Sequence, residues 1–221
     1  MRATVHAATR GLAVTDPVST AYELAKRYTL GERQLAWAHL ADANLSNFDL
    51  SDAYLFRGDF TNADLTDAKL PRSRPIGVKF IGAKLVRADL NWANLYHADL
   101  SGADLSGSNL QGANLTTANL SNANLTGVNL SSANLEGAIF TGATLDGVTL
   151  GSTIFANLDL SEFCRATTVR HASPSIVDYR AVMKSISEPG LRDFLRATGM
   201  PEALAVCMIA CVSALEPPAG P

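Results

Sequence analysis

The residues that could catalyse a reaction or bind a metal are few in this chain and lie far apart. Cys207 and Cys211 stand four residues apart, so they would share one face of a helix and could bind a metal together. A zinc site is tetrahedral and needs further ligands, and no other candidates lie nearby in the sequence. We therefore interpret the pair as buried apolar thiols. The four histidines are His6, His39, His97 and His171, and no Ser/His/Asp or Cys/His arrangement includes them.

The sequence also gives no support for catalysis by paired carboxylates or for a phosphate-binding loop. Many aspartates recur at outward positions of a short repeat, which sets them apart rather than around a shared substrate. The segments GERQLAW and GADLSG lack the lysine and the strand-to-helix context of a phosphate loop. We predict that the protein is not an enzyme and has no catalytic residues, no metal ligands and no cofactor.

The charge of the chain argues against a nucleic-acid partner. It has 18 Lys and Arg against 21 Asp and Glu, a net charge of −3, whereas binding nucleic acid by counterion release needs a basic surface. The longest apolar stretch, residues 203–212, is too short to cross a membrane, and the N-terminus lacks the apolar core of a secretion signal. The cysteines show no paired spacing, which fits a reducing compartment. We predict a cytoplasmic protein that binds neither nucleic acid nor membranes.

The positions of the side chains named above are set by a repeat in which an apolar residue recurs every five residues. From residue 35 to residue 160 every fifth residue is Leu or Phe at 25 of 26 positions, and Pro75 is the exception. We label this recurring residue i; position i−2 is most often Ala, and Gly is frequent at i+2, where a tight turn accepts a positive φ. No helix or strand keeps such a period on one face. The chain must turn a corner in every unit, with Leu and Phe inside and Ala packed between them.

Segments such as ADLTDAKL, ADLSGSNL and ANLTTANLSNANL resemble the pentapeptide-repeat family. The resemblance implies an all-β solenoid, a right-handed quadrilateral β-helix with four pentapeptides in each coil, so residues 20 apart stack in columns and Phe60 lies on Phe80. About six and a half coils follow from the length of the repeat region. We predict an N-terminal tail and short capping helix over residues 1–33, the β-helix over residues 34–162, and a small helical cap over residues 163–221.

The exception at Pro75 lies in the segment KLPRSRPIGVKF, residues 69–80. Phe80 follows Leu70 by ten residues, which is two whole units, so the repeat keeps its phase and the segment is a substituted coil rather than an inserted loop. We expect Ile76 to take the interior place of Pro75. We also expect Pro71 and Pro75 to remove two backbone donors and to weaken the wall of the solenoid there.

Aromatic and basic residues gather on one side of the N-terminal half of the predicted solenoid. Trp, Tyr and Arg are enriched at binding hot spots, and a concentrated apolar patch usually marks a contact. We predict a partner surface made of Trp37, Tyr54, Phe56, Arg57, Arg72, Arg74, Trp92, Tyr96 and His97. The alternative is that a helical segment over residues 18–28, capped by Thr20 and Glu23, covers these rings within the chain.

A helix predicted over residues 201–215 has Glu202 as its one charged residue and is apolar on nearly all sides. Such a helix must be buried. It closes the open end of the solenoid, forms a homodimer, which we favour, or packs on a further domain. The residues that would make the contact are Leu204, Val206, Met208, Ile209, Val212 and Leu215.

The segment after the repeats is also similar to the one that follows pentapeptide repeats in bacterial multidomain proteins with a C-terminal TIR signalling domain, and no TIR domain follows it in this sequence.

The function that these patterns favour is a non-enzymatic scaffold that presents a rigid surface to a protein partner. One alternative, implied by resemblance, is a DNA-mimicking inhibitor or protector of DNA gyrase or topoisomerase IV, as in the quinolone-resistance pentapeptide proteins. Against it, residues 38–160 hold seven bases beside twelve acids, and a DNA mimic must present sustained negative potential. A continuous acidic stripe along one face would favour that alternative. Another alternative is the recruitment module of a bacterial signalling or defence protein whose effector domain is missing.

Overall fold

The computed structural model describes the backbone of residues 17–213 and the side chains of residues 17–210. Helix α1 (Ala21–Thr29) precedes a long stack of turns. The elements that follow are strands β1 (Thr149–Leu150) and β2 (Ile154–Phe155), helix α2 (Ser161–Arg165), strands β3 (Arg170–His171) and β4 (Ile176–Val177), and helices α3 (Tyr179–Lys184), α4 (Leu191–Ala197) and α5 (Glu202–Ser213).

The stack of turns is a solenoid whose neighbouring coils are joined by parallel β-bridges. The bridges join residues 20 apart, as in His39 to Asp59 and Asp59 to Lys79. Those 20 residues are four units of five, so each coil has four units and the solenoid has four faces. We number the faces by their first interior residues: face 1 begins at Leu35, face 2 at Leu40, face 3 at Leu45 and face 4 at Leu50.

The recurring Leu and Phe residues fill the interior, as the sequence predicts. They form one continuous buried core with the Ala residues at i−2. The rings of Phe60 and Phe80 lie 5.4 Å apart between centroids, which confirms the expected contact between adjacent coils. Each such side chain removed from water stabilises the fold by roughly 1.5–3 kcal/mol.

In units that have Asp or Asn at i−1 and a coil on either side, every backbone N–H has an acceptor, which explains the preference for these residues at that position. Around Leu65, the N–H groups of Asp64, Leu65 and Asp67 donate to carbonyl groups of neighbouring coils at 2.9, 2.7 and 2.9 Å, and that of Ala68 donates back to Leu65 at 3.0 Å. The remaining N–H, on Thr66, donates to the Asp64 side chain at 3.0 Å. The hydroxyl and N–H of Thr66 hold the pKa of the Asp64 carboxyl below its ordinary value. A short acceptor at i−1 therefore completes the hydrogen bonding of the turn.

Position i+2 adopts the left-handed conformation whether or not it is glycine. Besides the glycines, sixteen other residues have a positive φ, among them Trp37 at 62°, Arg57 at 52° and Trp92 at 55°. A left-handed residue with a side chain costs roughly 1–2 kcal/mol. The coil imposes this conformation because the backbone bonds on both sides of the turn allow no other path.

The coil that contains Pro75 departs from the expectation for Ile76. Pro75 itself is buried at the interior position, and Ile76 is partly exposed at i+1. The expected replacement is wrong because the ladder fixes which position points inward, whatever residue occupies it. Leu70 and Phe80 donate from their N–H groups to the next coil at 2.7 Å each, and the corresponding bond from residue 75 to Asn94 cannot form.

Only one of the two prolines weakens the wall. Pro71 lies at i+1, where the N–H donates to a side chain at i−1 rather than to another coil; here i−1 is Lys69, which has no acceptor. The carbonyl of Pro71 still accepts from the Asp52 N–H at 3.0 Å. The expectation that two donors are lost from the wall is therefore wrong, and the loss is confined to Pro75.

Replacing Pro75 with leucine is expected to raise the free energy of unfolding by about 1 kcal/mol. The change restores an intercoil hydrogen bond, worth about 0.5–1.5 kcal/mol, and loses about 0.4–1 kcal/mol of unfolded-state restriction by proline, while the larger side chain adds apolar burial. Urea denaturation followed by circular dichroism measures the difference. Pro71→Ala is the control, with an expected loss of about 0.4–1 kcal/mol, because it gives up the same unfolded-state restriction and restores no intercoil hydrogen bond. A Pro75→Leu variant less stable than that control would contradict the assignment of the lost bond.

Helix α1 packs on the first coil. Val18 and Leu24 are fully buried, and the Val18 carbonyl accepts from the His39 N–H at 2.6 Å. The Thr20 hydroxyl accepts from the Glu23 N–H at 3.1 Å, as predicted, whereas the Glu23 carboxylate accepts from the Ser19 N–H at 3.4 Å. The Glu23 carboxylate therefore reaches back to the residue before the N-cap, and not to the Thr20 N–H as it would in a complete capping box.

The chain beyond residue 162 adds strands and helices to the last coil. β3 pairs in parallel with β1, and β4 pairs in parallel with β2. Two side chains replace missing coil carbonyls: Glu162 accepts from the Gly142 N–H at 3.0 Å and Ser185 accepts from the Leu160 N–H at 2.7 Å. The rings of Phe163 and Phe194 pack on those of the last coils, and Phe163 lies 5.1 Å from Phe155. The longest helix, α5, has 12 residues, and no helix in the described part of the chain has the length and hydropathy of a membrane span.

Candidate protein-docking surface

Face 1 of the N-terminal coils gathers seven of the nine residues predicted for the partner surface. They occupy positions i−1, i+1 and i+2 of successive coils and are Trp37, Tyr54, Phe56, Arg57, Arg74, Tyr96 and His97. Trp37 is 48% exposed and Tyr96 is 39% exposed. Ile76, which sequence reasoning placed in the interior, lies among them at i+1. We call these eight residues the face 1 patch.

Aromatic rings at the start of the patch are held in contact with one another. Tyr54 and Phe56 stack with centroids 6.0 Å apart and an angle of 8° between the ring planes. Trp37, in the preceding coil, meets Phe56 edge-on at 5.7 Å and 89°. The Arg57 guanidinium lies 5.5 Å from the Trp37 ring and 5.3 Å from the Phe56 ring. Cation–π and aromatic contacts of this kind fix these side chains before any partner arrives.

A second aromatic pair ends the patch. Tyr96 and His97 have ring centroids 4.0 Å apart, and His97 Nδ1 lies 2.7 Å from the Thr117 hydroxyl. Gly77 separates His97 from Arg57 in the i+2 column, and a Cβ built on Gly77 would lie 3.4 Å from Arg57 Cγ. The Arg57 side chain therefore runs across the space that Gly77 leaves open.

Arg72 and Trp92 lie on a different part of the surface, in the i+2 column of face 4. Arg72 donates two hydrogen bonds to Asp52, from Nε at 2.9 Å and from Nη2 at 3.0 Å. The Arg72 guanidinium holds the pKa of the Asp52 carboxyl below its ordinary value. Trp92 is 59% exposed and lies over Gly112, where an added Cβ would be 2.5 Å from the indole. The structure thus places this pair beside the face 1 patch and not within it.

The described part of the N-terminal segment does not cover the face 1 patch. Tyr28 of α1 donates from its hydroxyl to the Ser51 carbonyl at 2.8 Å, on face 4, and Arg33 stacks on the Tyr28 ring at 3.6 Å. The contact of Val18 is with His39, on face 2. Trp37 and Tyr96 keep the exposure given above with α1 in place.

Three faces share a charge pattern that face 1 lacks. The i−1 columns carry Asp49, Lys69 and Asp89 on face 4, Asp59, Lys79 and Asp99 on face 2, and Asp64, Lys84 and Asp104 on face 3, each residue bridged to the next. Bridged residues lie in coils about 4.8 Å apart, so every lysine has a carboxylate above and below it. Lys79 Nζ lies 3.9 Å from Asp59. On face 1 the same column reads Tyr54, Arg74, Asn94.

Helix α5 buries only one side within the described residues. Ala205 is fully buried, Met208 and Ile209 are half-buried, and the helix packs against α3 and α4. Leu204 is 50% exposed and Val206 is 43% exposed. The Val212 side chain and all of Leu215 lie outside the described residues. The predicted contact of this helix with a second copy or a further domain stays a prediction.

The cysteines do not form a reactive or metal-binding centre among the described residues. Cys207 is exposed on α5, so its expected burial is wrong, and the Cys211 side chain lies outside the described residues. Cys164, which the sequence did not single out, lines a cavity of about 280 Å³ with His171 and Asp193. Burial raises the pKa of the Cys164 thiol to about 12, so little thiolate exists near neutral pH. No group of three potential metal ligands is present in residues 17–210.

Comparison with known proteins matches the repeat region. A family model described as pentapeptide repeats matches eight copies, over residues 34–70, 76–112 and 113–151. The comparison with curated proteins finds no match.

Among solved structures, the chain is similar to the pentapeptide repeat protein Rfr23 from the cyanobacterium Cyanothece 51142, with 24% identity, 70% of this chain and 97% of that chain covered, and a TM-score of 0.32. It is also similar to HetL, involved in heterocyst differentiation regulation in Nostoc sp. strain PCC 7120, with 22% identity, 77% and 98% covered, and a TM-score of 0.26. QnrB1, a plasmid-mediated fluoroquinolone resistance protein, shows 18% identity, 65% and 76% covered, and a TM-score of 0.41.

Proposed function

The chain belongs to the pentapeptide-repeat family, whose members are generally structural or interaction proteins, and from that premise we propose that it is a non-enzymatic scaffold that presents the face 1 patch to a protein partner. The observation that carries the proposal is the concentration of exposed aromatic and basic side chains on one wall of a right-handed β-helix. Trp, Tyr and Arg supply much of the energy at protein interfaces. The proposal places this interaction in the cytoplasm.

The β-helix suits this role because it holds the patch in one arrangement. The backbone of the patch is hydrogen-bonded between successive coils, as from the Trp37 N–H to the Phe56 carbonyl and from the Arg57 N–H to the Ile76 carbonyl, apart from the single bond lost at Pro75. The rings of Trp37, Tyr54 and Phe56 already contact one another. A partner therefore gains contacts without the entropic cost of ordering these side chains.

The remaining parts of the chain have supporting roles in this proposal. A stack of about six and a half coils would leave an edge and core residues open at both ends, so repeat proteins need terminal caps. We assign this role to α1 at the N-terminal end and to helices α2–α5 at the other end. The exposed side of α5, with Leu204 and Val206, is the proposed site of homodimer formation.

Charge favours docking of a protein over mimicry of DNA. In the i−1 columns of faces 2, 3 and 4 a lysine separates the aspartates of neighbouring coils, so these acidic columns are interrupted. A surface that competes for a DNA site on gyrase or topoisomerase IV needs sustained negative potential. A recruitment module within a larger signalling protein would use the face 1 patch in the same way and is a form of the present proposal.

A variant of the patch is expected to lose its partner and keep its fold. Trp37→Ala with Phe56→Ala removes ring contacts that a partner would bury, while the interior stays intact, so the melting temperature should fall by only a few degrees. Cross-linking in the native host, followed by mass spectrometry of the purified protein, identifies proteins attached to the chain. The cross-linked partner should disappear from the variant.

The matched control is Ile81→Ala with Ile139→Ala. These residues occupy i−1 or i+1 on face 2, and they are 36% and 49% exposed. The control should keep the cross-linked partner. Retention of the partner by the patch variant, or its loss from the control, would contradict the assignment of the interaction to face 1.

A further inference from the structure

We propose that the face 1 patch binds a linear acidic peptide segment, whose carboxylates pair with Arg57 and Arg74 while its apolar side chains contact the rings beside them. This inference rests on the proposed docking function and adds the chemistry of the partner. It follows from a comparison of these two arginines with the other basic residues at equivalent places in the solenoid.

Arg74 belongs to a ring of four basic residues that occupy i−1 in one coil. The ring consists of Lys69, Arg74, Lys79 and Lys84. Each of the three lysines has an aspartate at i−1 in the coil before it and in the coil after it. Arg74 has Tyr54 and Asn94 in those places, and no carboxylate lies within 4 Å of it among residues 17–210. Three members of the ring thus lie between two aspartates in their columns, with Lys79 Nζ 3.9 Å from Asp59, and the fourth has no aspartate on either side.

Arg57, at an i+2 position, also has an aromatic residue in the preceding coil where equivalent arginines have an aspartate. Arg72 and Arg87 also occupy i+2 with a positive φ, and each forms a double hydrogen bond with an aspartate 20 residues earlier. The residue 20 positions before Arg57 is Trp37, so the guanidinium lies over an aromatic ring instead of a carboxylate. Both arginines of face 1 have therefore exchanged their carboxylate neighbour in the preceding coil for an aromatic residue.

Because Arg57 and Arg74 have no carboxylate neighbour in the preceding coil, they can bind a carboxylate that belongs to another molecule. A guanidinium keeps its charge at all physiological pH values and presents a planar fork of donors that matches a carboxylate. The outward positions of face 1 hold no acidic residue from residue 34 to residue 97. An acidic segment thus meets two unpaired arginines on face 1, whereas on the other faces it meets the aspartates that flank each lysine. Charge of this pattern selects both the partner and the face to which it binds.

Single-stranded nucleic acid would also stack on these rings, but the charge pattern favours a peptide. A nucleic acid brings a phosphate with every nucleotide and needs a groove of continuous positive charge. The patch offers two arginines, and the neighbouring columns bring Asp59 on face 2 and Asp49 on face 4 close to a longer polyanion. An acidic peptide needs only a few carboxylates to match the two arginines, and its other side chains carry no charge for those aspartates to repel.

The test is a selection of peptides from a random twelve-residue display library on the full chain, followed by fluorescence polarisation with the selected peptides. We expect the selected peptides to be enriched in Asp and Glu together with aromatic residues. Arg57→Gln with Arg74→Gln should weaken their binding by about tenfold or more, and high salt should weaken it too. Arg72→Gln with Arg87→Gln, which removes two paired arginines, is the matched control and should change binding less than twofold.

The outcomes separate this inference from the proposed function. Peptides that lose binding in the Trp37→Ala/Phe56→Ala variant but show no acidic enrichment would overturn the inference and leave the docking function in place. Tighter binding of a labelled oligo(dT) than of any selected peptide would overturn it in favour of a nucleic acid. A library that yields no binder sensitive to the Trp37→Ala/Phe56→Ala substitutions would overturn the inference, while the cross-linking experiment decides the docking function separately.

Discussion

Replacing Phe80 with alanine is expected to lower the free energy of unfolding by about 3–5 kcal/mol. The Phe80 side chain is fully buried and its ring lies 5.4 Å from that of Phe60 in the preceding coil. The cavity left behind cannot close, because intercoil hydrogen bonds hold the walls around it at fixed spacing. Urea denaturation, followed by circular dichroism at several protein concentrations, measures the loss.

The control for this substitution is the next residue in the chain. Ile81→Ala removes an apolar side chain that is 36% exposed, and we expect it to cost less than about 1 kcal/mol. The effect of Phe80→Ala should also depend on Phe60, because the two rings touch, and a double-mutant cycle with Phe60→Ala should show a coupling energy of about 0.5–3 kcal/mol. A cost for Phe80→Ala no larger than that of Ile81→Ala would show that the column of rings is not a packed core.

The second large effect is expected at Gly58, where alanine should destabilise the protein by about 1–3 kcal/mol. Most units have Ala at this i−2 position, so the repeat pattern alone predicts that Gly58→Ala stabilises the fold. The structure predicts the opposite sign. A Cβ built on Gly58 would lie 2.7 Å from Phe60 Cε2 and 3.3 Å from the Leu55 carbonyl oxygen. The Phe60 ring thus occupies the space that an alanine methyl fills in other units.

Rescue by a smaller interior residue tests this explanation. In the background of Gly58→Ala, Phe60→Leu should recover most of the lost stability, because the unit then has the Ala and Leu pair found at Ala63 and Leu65. In the original protein, Phe60→Leu should be destabilising, since it leaves a cavity beside Gly58. Additive effects of the two substitutions in thermal and urea denaturation would rule out the steric explanation.

The interior of the solenoid could be predicted almost residue by residue because one period governs it. An apolar residue every five residues can face inward only if the chain turns in every unit. The four units per coil, and with them the register of 20, are what the resemblance to the pentapeptide-repeat family implied. The contact between Phe60 and Phe80 was predictable for this reason. The side chain of an Asp or Asn at i−1 accepts a hydrogen bond from the N–H two residues later in the same turn, so this preference has a local cause.

Errors arose where the position in the coil and the nature of the residue disagree. Pro75 stays inside and Ile76 stays outside because the backbone ladder assigns the direction of each side chain, and hydrophobicity at one position cannot shift it. Pro71 costs no intercoil bond because the N–H at i+1 serves a side chain. The burial of Cys207 was predicted wrongly because α5 is apolar on nearly all sides, so its sequence does not show which side packs against α3 and α4.

The candidate docking surface also depended partly on the sequence and partly on the tertiary structure. The sequence by itself determined the solenoid, its interior and the collection of aromatic and basic residues near the N-terminal coils, since a strict period converts sequence distance directly into position. Only the tertiary structure decided which of those residues lie together and which are paired with a carboxylate, because charge pairing occurs between coils. It joined Arg72 to Asp52 and left Arg57 and Arg74 beside aromatic rings, and that difference makes face 1 the candidate docking surface.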